Sequence, residues 1–295
     1  MIFHQHAEEH CPARVVLLGA HGFIGAAIRG QLAAKNIPAI APPSDELNLA
    51  ATDAAGKLAA LLEPSDAVVM LAAITPDKGR DNATLLRNLA IMQSVCTAIE
   101  KRGCAHLVSF SSDAVYDIAV SRVTEDTPAT PQSLYGAMHY AREIMARNLT
   151  RVPVLVLRPT LTYGLSDTHN SYGPNRFRRA AQKDGRIVLF GSGEGVRDHV
   201  HVDDVAKLTV RCLLNKSTGT LNVASGISRT FCDIAKIVAK QFGNHVELAH
   251  GRSNEPITYR HYDMTNLIKA FPDFRFIAPE DGLARVHQQM IEAGQ

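Results

Sequence analysis

The sequence predicts an α/β fold: a doubly wound parallel sheet with a smaller C-terminal lobe. Three observations carry this expectation. Arg14 to Gly25 reads RVVLLGAHGFIG, an apolar, largely β-branched run, then glycines at 19, 22 and 25, then a helical run from Ala26 to Ala34. Ala67 to Ala73, AVVMLAA, is continuously apolar, as a strand covered on both faces should be. Strand-like and helix-like stretches alternate through the first half of the chain, which implies parallel pairing. In such sheets ligands bind at the carboxyl ends of the strands.

Composition narrows the function classes. With 295 residues, 46% apolar and 20% charged, the chain is globular and long enough for one large domain or a domain plus a lobe. The net charge is +2 and no basic run is dense, so no nucleic-acid partner is expected. No 18-residue apolar stretch exists, so no membrane partner is expected, and no basic-then-apolar leader marks secretion. The five cysteines are odd in number and lack CxxC spacing, which fits reduced thiols and a cytoplasmic location. At the start, residues 1–11 read as a flexible polar leader. His4, His6, His10 and Cys11 are metal-ligating types, but no metal is expected there.

Strand, glycine turn and helix from Arg14 onward mark the start of a dinucleotide-binding βαβ unit. Gly19 permits a tight turn. Gly22 lets backbone approach a pyrophosphate, with the helix N-terminus facing its charge. Gly25 lets helix and strand pack closely. The spacing is Gly-x-x-Gly-x-x-Gly rather than Gly-x-Gly-x-x-Gly. Ile37 to Ala41 forms the next strand. NAD enzymes usually place an acid near its end to hold the ribose 2′-hydroxyl. Here Pro42-Pro43-Ser44 stands there, followed by Asp45-Glu46, and no Arg waits for a 2′-phosphate. The choice between NAD and NADP is therefore open at this position; the expected cofactor is NAD, with NADP not excluded.

Leu47 to Ala50 is the next strand-like piece. Ala54 to Leu62 is a short helix stopped before Pro64, and Leu85 to Lys101 a longer one ending at Gly103. Ala105 to Phe110 is a strand, and Ser111-Ser112-Asp113-Ala114-Val115-Tyr116 lies at its carboxyl end. Tyr135-Gly136-Ala137-Met138-His139 opens a helix running to about Leu149, and i,i+4 spacing puts Tyr135 and His139 on one face. A hydroxyl, a phenol and a cation-capable group together can move a proton to or from a sugar alcohol. A tyrosine with pKa about 10 is a poor base at neutral pH, and a nearby positive charge would lower that value. Val205 to Leu214 reads as a helix capped by Asp203-Asp204, Thr220 to Val223 as a returning strand, and Phe231 to Phe242 as an amphipathic helix. Phe271 to Ile277 folds back against the core, and Ala278 onward begins the last helix.

These stretches together resemble the extended short-chain dehydrogenase/reductase family, the group of nucleotide-sugar epimerases, 4,6-dehydratases and 4-keto reductases. Ser111-Ser112-Asp113-Ala114-Val115-Tyr116 is similar to its Ser-(Ser/Thr) motif before Val-Tyr. Tyr135-Gly136 with Glu143 resembles its Tyr-Gly-x-x-Lys-x-x-x-Glu helix. Arg158-Pro159 with Tyr163-Gly164, the segment from Gly191 through Arg197-Asp198 to Asp203-Asp204, and Asn222 with Gly226 resemble three further motifs in the family's order. The resemblance implies a Rossmann-like domain over 12–165 and 202–224, and a smaller substrate-binding lobe over 166–201 and 225–295. It implies that Gly19, Gly22, Phe23, Ile24 and Gly25 cradle the dinucleotide, Asn48-Leu49 meet the adenine, Leu71, Ala72 and Ala73 line the cofactor, and Pro159 flanks the nicotinamide. Ser112 would bond the sugar oxygen, with Asp113 beside it, and Tyr135 would be the acid/base. Asn175, Arg197 and Arg260 would hold the diphosphate of a nucleotide-diphosphate sugar, since an Arg fork suits phosphate oxygens. It also implies a homodimer through the helix carrying Tyr135 and the one before it. The apolar faces of 85–99 and 137–149 permit that and equally fit burial within one chain.

Two departures from the family pattern matter. His139 stands where the resemblance places a catalytic Lys, which would bridge the nicotinamide ribose hydroxyls and lower the tyrosine pKa. Three readings follow: a neutral or partly charged His139 serves at this position; another cation, such as Arg142, supplies the charge; or catalysis is weak or lost, leaving an NAD(P)- or nucleotide-sugar-binding regulatory protein. If His139 tunes Tyr135 by its charge, activity should depend on pH near its pKa. Second, Asp113 is followed by Ala114, where 4,6-dehydratases place the Glu that removes the sugar C5 proton, so dehydratase activity is disfavoured. The expected function is an NAD(P)-dependent epimerase or keto-sugar reductase acting on a nucleotide sugar.

Overall fold

The computed structural model describes residues 1–167, 170, 172–243, 245–252 and 257–294. The chain opens with a short strand, Ile2–His4 (β1). Arg14–Leu18 (β2) and the helix Phe23–Ala34 (α1) follow, joined by the glycine turn. Ala39–Ile40 (β3) is short because Pro42-Pro43 comes next and offers no N–H to a ladder. Ala54–Leu61 (α2) leads to Asp66–Met70 (β4), and Asn82–Arg102 (α3) to His106–Phe110 (β5). The Asp81 carboxylate caps α3 by accepting from the Thr84 N–H at 2.8 Å, and Gly103, at φ 83°, ends it. After Arg122–Val123 (β6) come Leu134–Arg147 (α4), Val154–Pro159 (β7) and Leu161–Tyr163 (β8). Pro174–Asp184 (α5), Arg186–Phe190 (β9), Val196–His201 (β10), Val202–Leu214 (α6) and Ser217–Val223 (β11) continue the chain. It closes with Ser228–Thr230 (β12), Phe231–Gln241 (α7), Glu247–Gly251 (β13), His261–Tyr262 (β14), Thr265–Ala270 (α8) and Pro279–Glu292 (α9).

Seven strands form the central sheet in the order β1-β11-β7-β5-β4-β2-β3. All its pairs are parallel except β1 with β11. Successive side chains of a strand face opposite ways, so a sheet covered on both sides needs apolar residues at every position. β2 shows this. Val15 and Leu17 pack with Ile28 and Leu32 of α1 and with Val205 and Leu208 of α6. Val16 and Leu18 pack with Leu58 of α2 and with Met92 and Val95 of α3 on the other face. Each such side chain, removed completely from water, contributes about 1.5–3 kcal/mol before the entropy of ordering is subtracted. A separate core joins Phe177, Ile187, Leu189, Ile234, Val238, Leu283 and Val286, and builds the smaller lobe from α5, α7, α9 and β9.

Four expectations are corrected here. The leader over 1–11 is not loose at its beginning. β1 pairs antiparallel with β11, Ile2 opposite Gly219 and His4 opposite Ser217. The His4 ring bonds Ser217 Oγ at 2.8 Å and the Ala270 carbonyl at 3.0 Å, and lies tilted against Phe271, centroids 4.9 Å apart. Leu47 to Ala50 is a turn-rich connection and not a strand. Leu47 and Leu49 are buried beneath it, but β3 ends before the two prolines and leaves no ladder to extend. The cap of α6 is His201, whose Nδ1 accepts from the Asp203 N–H at 3.2 Å. Asp203 and Asp204 lie in the first turn, where Asp204 accepts the Ile277 N–H at 2.8 Å. Finally, Leu267 and Phe271 belong to the core of the central sheet, so not all of 225–295 belongs to the lobe.

Candidate active site

From β2 the chain winds outward to β3 and then returns to β4 on the other side of β2. Loops leaving β2 and β4 therefore diverge, and a crevice opens beyond their carboxyl ends. It is a cleft of about 740 Å³. Most of the sequence-predicted residues line it. Gly19, Gly22, Phe23, Ile24 and Gly25 form one wall, and Asn48, Leu49, Leu71, Ala72 and Ala73 the adjoining one. Ser112, Asp113, Tyr135, His139, Pro159 and Asn175 complete it. Arg197 and Arg260 do not line it.

The glycine turn is built for an anion. The Gly22 N–H donates to the Gly19 carbonyl at 3.1 Å, with Gly19 at φ 96°. α1 begins with no side-chain cap and no acid in its first turn, so its first N–H groups are unclaimed at the cleft wall. A Cβ at Gly25 would stand 2.1 Å from the Gly19 carbonyl oxygen, so only glycine allows helix and turn to approach this closely. This cradle fits the pyrophosphate of a dinucleotide.

Tyr135 and His139 enter from α4. The Ser133 hydroxyl caps that helix by accepting from the Gly136 N–H at 3.1 Å, which fixes Tyr135 in the first turn. The Ser112 hydroxyl accepts from the Ala114 N–H at 3.2 Å, donates to the Asp113 carboxylate at 3.4 Å and lies near the Tyr135 phenol in the cleft wall. Gly136 allows this approach, because a Cβ there would lie 2.2 Å from the Ala114 carbonyl oxygen. Burial pushes the phenol up to about 12, with Asp113 adding to the rise and Ser112 and Arg142 opposing it.

The His139 ring meets Tyr135 edge-on, centroids 4.6 Å apart. Burial pushes the imidazole down to about 3, with the Arg142 charge acting in the same direction. The reading of a partly charged His139 is therefore corrected: it is neutral at any working pH, and no activity change is expected from its titration near pH 6.5. Among the described residues neither ring nitrogen has a partner. A neutral imidazole offers one donor and one acceptor, and no protein group claims either one here.

Behind these groups lies a buried polar network. The Glu143 carboxylate receives Arg158 Nε at 2.8 Å and Nη2 at 2.6 Å, and the Ser111 hydroxyl at 2.5 Å. Arg158 Nη1 donates to Tyr116 Oη at 2.8 Å, which donates to Asn222 Oδ1 at 2.7 Å. Burial alone would raise Glu143, but Arg158, Ser111 and Arg147 hold it below the usual carboxylate range. One network thus joins α4, the end of β5, β7 and β11, and locks the backbone carrying Ser112 against the helix carrying Tyr135.

The proposed phosphate arginines are engaged elsewhere. Arg197 donates to the carbonyls of Val196 at 2.8 Å and Thr258 at 3.1 Å. Arg260 is buried and donates to the Asp117 carbonyl at 2.6 Å, the Asp113 carbonyl at 3.2 Å and the Asp113 carboxylate at 3.5 Å. Asn175 sits in the wall with its amide donating to the Gly164 carbonyl at 3.0 Å and to Asp167 at 2.8 Å. Sequence reasoning missed Tyr262, whose hydroxyl donates to Asp113 at 2.7 Å. That contact spans 149 positions and carries no local signal.

Three histidines are kept neutral by burial: His106, pushed down to about 4, and His139 and His199, each to about 3. Below pH 6.5 the unfolded chain binds protons at these positions that the folded chain does not, so stability falls as pH drops from 6.5 toward 4. Each should lose about 2 kcal/mol at pH 5 relative to pH 8. Urea unfolding at the two pH values should show a loss of several kcal/mol, and equal midpoints would contradict the buried neutral state.

A model of the NAD dependent epimerase/dehydratase family matches residues 15–224. The chain is 23% identical over 311 residues to GDP-L-fucose synthase of Escherichia coli K12, covering 95% of this chain and 97% of that protein. Its fold matches a GDP-L-fucose synthetase from Naegleria fowleri with TM-score 0.84 at 17% identity, over 99% of this chain and 96% of the other. It matches RMD from Pseudomonas aeruginosa, solved with NADPH, with TM-score 0.83 at 22% identity, over 95% and 99%.

Proposed function

From the premise that this chain belongs to the NAD-dependent epimerase/dehydratase family, we propose that it binds NAD(P) and exchanges hydride at a carbon of a nucleotide-diphosphate sugar, as an epimerase or a keto-sugar reductase. The observation that carries this is the convergence, in one cleft, of an uncapped helix N-terminus behind a glycine turn with Ser112 and Tyr135. The bound nicotinamide would supply the hydride acceptor or donor. The α1 backbone would hold its diphosphate, and Leu71 to Ala73, Pro159 and neutral His139, which line the same cleft, would hold its nicotinamide ribose end. Ser112 bonds the sugar oxygen, and Tyr135 Oη takes or returns the hydroxyl proton as the carbon loses or gains hydride. Ala114 carries no carboxylate to remove a second proton from the sugar, which supports hydride exchange without dehydration.

The relatives support this substrate class: one is named a GDP-L-fucose synthase, and another, 29% identical over 177 residues, a UDP-glucose 4-epimerase. α3 and α4 leave Leu86, Leu134 and Ile144 exposed, which supports a homodimer packed through these helices. Five free cysteines support a reducing, cytoplasmic setting.

The test begins with the cofactor. Freshly purified protein is denatured and the released nucleotide identified by mass spectrometry, and nucleotide sugars and their 4-keto forms are then supplied. Stoichiometric NAD with interconversion of 4-epimers is the epimerase outcome, and an empty site that consumes NADPH with a keto sugar is the reductase outcome. Binding without turnover would make the protein a sensor, and failure to bind either dinucleotide would overturn the proposal.

A further inference from the structure

Tyr135, His139 and Arg142 stand at i, i+4 and i+7, on one face of α4. Helical side chains lean toward the N-terminus, so the long Arg142 stem extends back toward the turn that holds His139 and Tyr135. The residue is 1% exposed. Yet no carboxylate pairs with it among the described residues. Nη2 donates to the Ala72 carbonyl at 2.9 Å, Nη1 approaches the Met138 sulfur at 3.7 Å, and Nε has no partner among the described residues. The Ala72 peptide it grips is part of the cleft wall. A buried cation without a counter-charge is costly, and a chain retains one where the charge serves something.

We propose that Arg142 supplies the positive charge that makes the Tyr135 phenol able to give up its proton, acting from behind His139 without touching substrate. This rests on the reading of Tyr135 as the acid/base. Lys78 and Arg80 also lie near the cleft, but both are exposed and Arg80 donates to the Pro76 carbonyl, which leaves Arg142 as the buried cation for this task. On α4 itself His139 is neutral and Glu143 is taken by Arg158 and Arg147. From α3, Cys96 faces Arg142 as a thiol that burial pushes up to about 11. From β7, Arg158 is locked to Glu143. From the turn after β5, Asp113 faces Tyr135 with the opposite sign, and Tyr262 and Arg260 occupy its carboxylate. Burial pushes Arg142 itself down to about 10, so it stays charged at neutral pH.

Arg142→Met removes the charge and keeps the length. The phenol is followed directly, in cofactor-free protein, by NMR of Cζ-labelled tyrosine, with Tyr135→Phe assigning the resonance. In Arg142→Met the Tyr135 resonance should titrate at higher pH than in the parent. With cofactor and substrate, kcat/KM near pH 7 should fall roughly tenfold or more, the loss shrinking as pH rises. Melting temperature should hold or increase, because an unpaired buried charge is gone. Arg142→Lys should preserve the titration and the pH profile. An unmoved Tyr135 titration in Arg142→Met, or Arg142→Lys behaving as Arg142→Met, overturns the proposal. If Arg142→Met does not fold, Arg142→Gln and Arg142→Lys are compared on the same readouts with the same criteria. Failure of the underlying reading looks different: Tyr135→Phe would keep turnover while the phenol still responded to Arg142.

Discussion

Tyr135→Phe should lower turnover by roughly 100- to 10,000-fold while leaving NAD(P) affinity within about twofold, if the phenol moves the substrate proton. The geometry explains the separation. The ring is held by the first turn of α4 and by its edge-on contact with His139, and phenylalanine keeps both. Only the hydroxyl is lost, and with it the proton. The diphosphate cradle lies on α1 and the loops after β2 and β4, and the ring contact that seats His139 is kept, so cofactor binding is spared. Steady-state kinetics beside calorimetric titration with the dinucleotide would decide the matter. Turnover within tenfold of the parent would assign the proton to another group.

Gly25→Ala should cost about 1–3 kcal/mol of stability and weaken dinucleotide binding by roughly 100-fold, because one added methyl has nowhere to go. It would fall 2.1 Å from the Gly19 carbonyl oxygen and 2.9 Å from Ala20 Cα, which are backbone atoms without a rotamer to change. Relief requires α1 to slide away from the turn, which opens the N–H cradle as it goes. Gly30, on the same helix, provides the contrast. Nothing lies within 4 Å of a Cβ built there, and the position is exposed. Gly30→Ala should therefore stabilise by about 0.5–1 kcal/mol through helix propensity alone and leave binding unchanged. Denaturant melts and fluorescence titration of the pair would separate a steric requirement of the turn from a general sensitivity of α1.

The parts of this fold that were readable in the sequence are those encoded by neighbours. Largely apolar runs within 14–18, 66–70 and 106–110 announce strands buried on both faces. The glycine turn announces a phosphate cradle, and Ser112 and Tyr135 lie within recognisable local motifs. What was not readable depends on distant partners. Ile2 and His4 resemble any polar terminus until β11 is seen beside them. The alternating Leu47 and Leu49 resemble a strand, and only the truncation of β3 by Pro42-Pro43 denies it a neighbour. The charge state of His139 is set by packing from α3 and the cleft loops, not by its own identity. Glu143, Arg158 and Asn222 each matched a motif, but their union in one network exists only in three dimensions.

The pairing of β1 with β11 also constrains how the chain reaches this fold. His4 and Ser217 are joined across 213 positions, with Ala270 and Phe271 farther still. On a growing polypeptide the first strand emerges long before the surface it will occupy. During that interval β11, once docked on β7, presents an unpaired edge that any extended segment can add to. Closure by β1 is therefore one of the last steps of assembly, a non-local contact with a high loop-closure cost. Until it occurs, the β11 edge is where nascent chains are most exposed to pairing with one another.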